Sequence, residues 1–200
     1  MRVIAGKYRS RPLRSLRGMD IRPTSDRLRE TLFNVLTAGN PEALTDTVWL
    51  DLYAGTGAVG IEALSRGAKQ VHFIEDSPAA TEAIQGNLQT LGISNGFKIV
   101  QESLPKAFWQ MERQRITADV VFLDPPYRLR DAYTNSLQAL AESSLIWAMS
   151  VVIAEHERKF DPGGEFGPLH RFRRLDQGSA ALSFYRLGGA SDVRLSPAAT

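Results

Sequence analysis

The apolar residues of this chain follow two spacings that alternate along most of its length. Short apolar runs predict buried strands, and stretches with helical spacing predict the helices between them. The strands of this alternating part are expected at residues 48–52, 70–75, 97–100, 119–123 and 149–154, and the helices through 61–65, 78–91, 107–111 and 137–141. Single helices between strands make crossover connections, so we expect a mostly parallel α/β sheet with helices on both faces.

The pattern changes towards both ends of the chain. Before the first strand, Thr24 or Ser25 can cap a helix whose apolar residues recur at helical spacing from Leu28. After the alternating part, residues 169–175 and 180–187 flank a turn and predict an antiparallel hairpin, which brings the sheet to seven strands. The predicted division is an N-terminal extension at 1–23, an α/β domain at 24–187 and a flexible tail at 188–200.

Charge sets the N-terminal extension apart from the rest. The 200 residues carry a net charge of +2, but the first thirty carry +6 and the remainder −4. This distribution fits a segment that binds phosphates, and it fits equally a solvated basic tail. The candidate phosphate-binding residues are Arg2, Lys7, Arg9, Arg11, Arg14, Arg17, Arg22 and Arg27.

Composition excludes several other classes of protein. The absence of cysteine excludes disulfides, thiolate metal sites and a cysteine nucleophile. The three histidines, His72, His156 and His170, are widely spaced and have no ligand-like partners, so no metal site is expected. No secretory signal and no apolar run of bilayer length are present, so we expect a soluble, cytoplasmic protein. Trp49, Trp109 and Trp147 lie in apolar stretches and are predicted to be core residues.

A glycine-rich turn follows the first predicted strand. Gly55, Gly57 and Gly60 form a Gly-x-Gly-x-x-Gly pattern that opens a helix, which permits close approach of a ligand to the backbone and to unpaired N–H groups. Both dinucleotides and S-adenosylmethionine bind such loops. Asp51 favours S-adenosylmethionine, because its carboxylate can balance the cationic amino-acid group of that cofactor but would repel the pyrophosphate of a dinucleotide. Glu75 can accept hydrogen bonds from ribose hydroxyls.

The predicted S-adenosylmethionine site joins this loop to the ends of the next two strands. Its residues are Asp51, Tyr53, Ala54, Gly55, Thr56, Gly57, Gly60, Glu75, Asp76, Ser103 and Leu104.

The tetrapeptide Asp124-Pro125-Pro126-Tyr127 follows the fourth predicted strand and carries the candidate chemistry. An exocyclic amine on a base is a poor nucleophile, since its lone pair is delocalised into the ring. The Asp124 carboxylate and the Pro125 carbonyl can each accept one of its N–H groups and so aim the lone pair at a methyl donor. Pro126 stiffens the turn, and Tyr127 offers a face on which the base can stack. Together with the glycine loop, this favours S-adenosylmethionine over NAD.

These motifs resemble those of the class I amino-methylating methyltransferases. Within that group, residues 2–9, 22–34, 51–60, 124–127 and 183–186 are similar to the RsmD family, and the resemblance spans residues 1–187. It implies a Rossmann-like methyltransferase domain and transfer to the N2 amine of one guanine in bacterial 16S ribosomal RNA. It also implies that the RNA lies in the 30S subunit or an assembly intermediate, with the basic extension binding RNA. For Arg22, Thr24 and Arg27 the alternative stays open that they close over the cofactor. We expect a monomer.

The chain departs from the family pattern after the third strand. Gln101-Glu102-Ser103 stands where Asp or Asn is usual for the cofactor's adenine, and Ser103 aligns best. Three other functions remain open: a DNA adenine-N6 methyltransferase, a protein glutamine methyltransferase and a non-enzymatic RNA-binding module for ribosome assembly. The first usually carries an added recognition segment, the second is expected to have Asn at position 124, and the third does not need the tetrapeptide.

Overall fold

The computed structural model describes residues 1–15 and 25–188, and its elements alternate as the sequence pattern predicts. The helices are α1 Asp26–Leu36, α2 Ala58–Ser65, α3 Pro78–Leu91, α4 Leu104–Arg113 and α5 Arg130–Glu142. The strands are β1 Val48–Leu52, β2 Gln70–Ile74, β3 Phe97–Val100, β4 Ala118–Leu123, β5 Ile146–Glu157, β6 Glu165–Phe166, β7 Leu169–Gln177 and β8 Ala180–Leu187.

All eight strands form one sheet in the order β3-β2-β1-β4-β5-β8-β7-β6. Strands β1 to β5 are parallel, and β8 pairs antiparallel with both β5 and β7. The predicted α/β fold and the terminal hairpin are confirmed, and the two-residue β6 adds an eighth strand at the edge. The strand order reverses between β1 and β4, and ligands of open α/β sheets bind beyond the carboxyl ends of the strands at such a point.

The sheet separates two apolar layers. Trp49 belongs to the layer that contains Leu32 and Phe33 of α1, whereas Leu50 and Leu52 belong to the layer under α4 and α5. The alternation along β1 follows from the two-residue repeat of a strand, and it decides which layer each residue beyond the strand's end faces.

Residues 1–15 pack onto the domain. Val3 and Leu13 are buried in the first layer, and Arg2 and Pro12 form an isolated antiparallel bridge. The carboxylate of Glu62, itself wholly buried in α2, accepts hydrogen bonds from the backbone N–H groups of residues 4 and 5 at 2.7 and 3.0 Å. The start of the basic extension is therefore held in place by an acidic side chain of the helix that follows the glycine loop.

Two of the tryptophans predicted as core are exposed. Trp49 is fully buried, but Trp109 is 58% and Trp147 46% exposed. Phe108 and Met111 lie on the buried face of α4. Trp109 follows Phe108 and is therefore rotated about a quarter turn away from that face. Trp147 lies where the pairing of β4 with β5 shifts its register, so its side chain leaves the sheet's apolar face. Within the described residues, no helix is both long and apolar enough to cross a bilayer.

Candidate active site

The glycine loop leaves β1 through a tight turn that requires left-handed backbone. Gly55 and Gly57 have φ angles of 56° and 76°, and Tyr53 between strand and loop has 58°. The N–H of Gly57 bonds the carbonyl of Ala54 at 2.8 Å, and α2 begins at the next residue without a side-chain cap. The turn thus places the N-terminal end of α2, with its N–H groups and partial positive charge, at the carboxyl end of β1.

Asp51 supports this loop from behind. Its side chain is buried, and Oδ2 accepts the N–H of Gly60 at 2.9 Å. Burial raises the pKa of this carboxyl to about 8, the Gly60 hydrogen bond opposes that rise, and the charge of Glu75 adds to it. A cation bound in front of the loop would favour the ionised form, as expected for a partner of a cationic amino-acid group.

Glu75, one residue beyond β2, lies on the other side of the loop. Its Oε2 accepts the N–H of Gly55 at 2.8 Å, and its Oε1 accepts that of Ser77 at 3.0 Å. Burial is the main reason that the pKa of Glu75 is raised, and the charge of Asp76 acts in the same direction. Each oxygen has a second lone pair, so this carboxylate can hold the loop and still accept a hydroxyl from a ligand.

The adenine-side residues lie at the same edge of the sheet, after β3. Ser103 is the N-cap residue of α4 and is exposed, and Leu104 begins that helix and packs partly on the second apolar layer. The side-chain oxygen of Gln101 accepts a hydrogen bond from the hydroxyl of Thr81 at 3.2 Å, so this side chain lies against the surface of α3. This arrangement leaves Ser103 and Leu104 as the predicted adenine contacts.

The tetrapeptide lies next to the glycine loop. Asp124 directly follows β4, and its N–H points to the carbonyl of Leu52 at the end of β1, 3.4 Å away. Pro125 is buried, while Asp124, Pro126 and Tyr127 are half-buried. The fold therefore brings together the two motifs that are more than sixty residues apart in the chain.

A buried tyrosine that the sequence reasoning missed holds the tetrapeptide. The hydroxyl of Tyr133, on α5, donates to the carbonyl of Pro125 at 3.0 Å, and the side chain is fully buried. Its ring packs against Phe160 and meets His156 edge-on. The carbonyl that is predicted to accept a substrate amine is thus oriented by a rigid part of the core.

The predicted RNA-binding residues lie at the surface wherever the structure describes them. The exposed members are Arg2, Lys7, Arg9, Arg11, Arg14 and Arg27, whereas Arg17 and Arg22 lie outside the described residues. Arg29, four residues after Ser25, is wholly buried and donates to the carbonyl of Arg2 at 2.7 Å. Position along the helix therefore distinguishes an exposed Arg27 from a structural Arg29.

Asn87, also missed, connects the basic extension to the glycine loop. Its Nδ2 donates to the carbonyls of Thr56 and Arg14 at 3.0 and 3.2 Å, and its Oδ1 accepts the N–H of Arg14 at 2.8 Å. The residue is 1% exposed. Its signal in the sequence was a polar side chain three residues after Ile84, on the buried face of α3.

Comparison with known proteins agrees with this geometry. The family model described as conserved hypothetical protein 95 matches residues 1–186. The ribosomal RNA small subunit methyltransferase D of Haemophilus influenzae is 35% identical over 158 residues, 79% of this chain and 79% of that protein. Among solved structures, a putative methyltransferase from Escherichia coli has a TM-score of 0.76 at 30% identity, over 94% of this chain and 97% of that one. An RNA methyltransferase from Salinibacter ruber, solved with S-adenosyl-L-homocysteine, shares the fold, with a TM-score of 0.64 at 18% identity over 88% of this chain and all of that one.

Proposed function

This chain belongs to the family described as conserved hypothetical protein 95, and on that premise we propose that it transfers a methyl group from S-adenosylmethionine to the N2 amine of a guanine in small-subunit ribosomal RNA. Family membership supports a methyltransferase that acts on ribosomal RNA. The choice of a guanine amine is a narrower proposal, and it rests on the motif resemblance.

One observation carries the proposal: Asp124 and its tetrapeptide lie beside the glycine loop at the strand-order reversal of the sheet. The loop fits S-adenosylmethionine, because it offers bare backbone and a helix N-terminus between two carboxylates and holds no basic side chain for a pyrophosphate. The glycine loop and Asp51 would hold the amino-acid part, Glu75 the ribose, and Ser103 with Leu104 the adenine. When bound, the cofactor supplies an electrophilic methyl group on its sulfonium sulfur.

The protein's contribution at the tetrapeptide is to position the acceptor. The Asp124 carboxylate and the Pro125 carbonyl accept the two N–H groups of the amine, so its lone pair points along the line to the methyl group. Asp124 also stabilises the positive charge that develops on the nitrogen, and the proton leaves to this carboxylate or to water. Tyr127 provides a stacking face for the base.

The exposed basic residues of the extension support RNA as the partner. Arg14 is the residue that Asn87 connects to the glycine loop, so a phosphate bound there would lie near the cofactor. Such contacts give salt-dependent affinity with little sequence information. We extend the proposal to a cytoplasmic monomer that acts on the 30S subunit or its assembly intermediate, in which the guanine is unpaired or flipped.

The test is transfer from labelled S-adenosylmethionine to unmodified 30S subunits, naked 16S RNA and double-stranded DNA. Label recovered as N2-methylguanosine from RNA supports the proposal. Asp124→Ala should lower the rate about 10²-fold or more, since the amine loses its orientation. Asp131→Ala, which removes an exposed carboxylate from the first turn of α5, is the matched control and should react at the normal rate.

Other outcomes identify the rival functions. Label in DNA as N6-methyladenine would replace the RNA substrate, and label confined to protein would indicate an amide acceptor. Equal transfer by the Asp124→Ala protein would refute the role of the tetrapeptide. Subunit binding without any transfer would leave an assembly module.

A further inference from the structure

A small cavity lies between α1, the β7–β8 turn and the carboxyl end of β5. Its volume is about 240 Å³. The N-terminal end of α1 forms one wall, the turn between β7 and β8 forms another, and the carboxyl end of β5 contributes Glu155. The lining residues are Ser25, Arg27, Leu28, Glu155 and residues 177–180.

The strand register places Glu155 next to Asp124. Leu123 of β4 pairs with Ala154 of β5, so the residues that follow them are neighbours at the carboxyl ends of two adjacent parallel strands. Leu123 and Ala154 both face the layer under α4 and α5. Because side chains alternate along a strand, Asp124 and Glu155 face the opposite layer, where α1 lies. Glu155 therefore lines the cavity and neighbours the predicted acceptor site.

Glu155 is an acidic side chain held in the protein rather than a solvated strand end. It is 4% exposed. The buried Arg29 guanidinium is close enough for the charge of Glu155 to act on it: burial lowers the pKa of Arg29, and the carboxylates of Asp26, Glu62 and Glu155 oppose that change. A carboxylate at a fixed place in a partly enclosed cavity is a strong, directional hydrogen-bond acceptor.

The chemistry of this cavity suits one base edge. Guanine presents N1–H beside its N2 amine, so both groups on that side of the ring are donors. Adenine presents an amine beside a bare N1, which is an acceptor. With the N2 amine held by Asp124, the ring nitrogens on either side of it are N1, which carries a hydrogen, and N3, which does not. Only N1–H can donate to the acidic residue on the neighbouring strand, Glu155. A cavity of this size is below the roughly 300–1,000 Å³ usual for drug-sized ligands, which suits a single base.

We propose that this cavity receives the target guanine and that Glu155 accepts its N1–H, which makes Glu155 the residue that selects guanine over adenine. The inference rests on the proposed function and adds the means of base selection to it. Adenine turned to offer its amine to Asp124 would bring its N1 lone pair against the Glu155 carboxylate, and this repulsion excludes it. This contact gives Glu155 a role in specificity.

The experiment compares Glu155→Ala and Glu155→Gln with the wild type on 30S subunits. Glu155→Ala should lose about 10²-fold in kcat/KM, because the base loses the hydrogen bond that the site was built to make. Affinity for S-adenosylmethionine, measured by calorimetry, should stay within twofold. Glu165→Gln removes an exposed carboxylate from β6 and should leave kcat/KM unchanged.

The decisive substrate is a subunit reconstituted with 2,6-diaminopurine at the methylated position. This base keeps the N2 amine but has a bare N1, so the wild type should reject it, whereas the amide of Glu155→Gln can donate to N1 and should methylate it faster than the wild type does. If the wild type methylates guanine and both Glu155 variants are as active as the wild type, this inference is wrong and the proposed function is unaffected. An absence of wild-type label in guanine overturns the proposed function itself.

Discussion

Two glycines in neighbouring helices should respond to the same substitution with opposite signs. Gly60 lies in α2 and Gly86 in α3, and alanine is the better helix former at both by roughly 0.5–1 kcal/mol. A Cβ on Gly86 meets nothing nearer than Arg14 Nη1 at 3.8 Å, an ordinary contact. A Cβ on Gly60 would overlap the ring of Phe73 and lie 2.7 Å from Val71 Cγ1.

The magnitude at Gly60 follows from those contacts. Overfilling a packed site costs about 1–3 kcal/mol, and Phe73 and Val71 belong to β2, so neither can give way freely. The new methyl would also lie 2.9 Å from Asp51 Oδ2, which disturbs the hydrogen bond from the Gly60 N–H. After the gain in helix propensity is subtracted, Gly60→Ala should lower the free energy of unfolding by about 2 kcal/mol. Gly86→Ala should raise it by about 0.5–1 kcal/mol.

Urea denaturation of both variants measures these changes, provided that the slope with urea stays constant. S-Adenosylmethionine titration gives a second reading: Gly60→Ala should bind at least about tenfold more weakly, since about 1.4 kcal/mol of loop displacement is enough for that factor. Gly86→Ala should bind normally. A Gly60→Ala protein as stable as the Gly86→Ala protein would refute the packing argument and, with it, the claim that Asp51 supports the loop through this contact.

Two further substitutions test the charge and the hydrogen bond at the site. Burial raises the pKa of Asp51 to about 8, so its contribution to stability is full below about pH 4 and is lost as the pH rises to 8. Asp51→Asn should therefore flatten the pH dependence of the free energy of unfolding across that window. If denaturation curves give the variant the same pH dependence as the wild type, the assignment is wrong. Tyr133→Phe removes the donor 3.0 Å from the Pro125 carbonyl and should cost about 1 kcal/mol of stability. It should also lower kcat about tenfold with cofactor affinity unchanged, and a normal kcat would show that the carbonyl needs no such partner.

The sequence predicted most reliably what short segments encode. The helix predicted from Ser77 or Pro78 to Leu91 is observed as Pro78–Leu91, because Ser77 caps it, Pro78 suits its first turn and Gly92 ends it. The glycine loop and the tetrapeptide were also found without the fold, since each combines several residue types whose backbone demands are local. The order of strands and helices then fixed the fold class, because single-helix crossovers leave few topologies.

Bounds were less certain where tertiary contacts extend an element. β5 runs from Ile146 to Glu157, well past the predicted 149–154. Its start is extended by the pair that Ile146 forms with Ala118 of β4, and its end by pairing with β8 as far as Glu157. The predicted contacts of the cofactor and RNA residues stay predictions, and the predicted cofactor residues lie at or after the carboxyl ends of β1, β2 and β3.

By itself, then, the sequence determined the alternation of elements, the family, and the two motifs that any cofactor and acceptor would meet. Only the tertiary structure decided that Glu62 holds the N-terminal segment, that Asn87 connects it to the glycine loop, and that Glu155 lies beside Asp124. The physical reason is range. Backbone preferences act over a few neighbouring residues, whereas these contacts join positions 31 to 73 residues apart and depend on strand register and burial, which exist only once the sheet has formed.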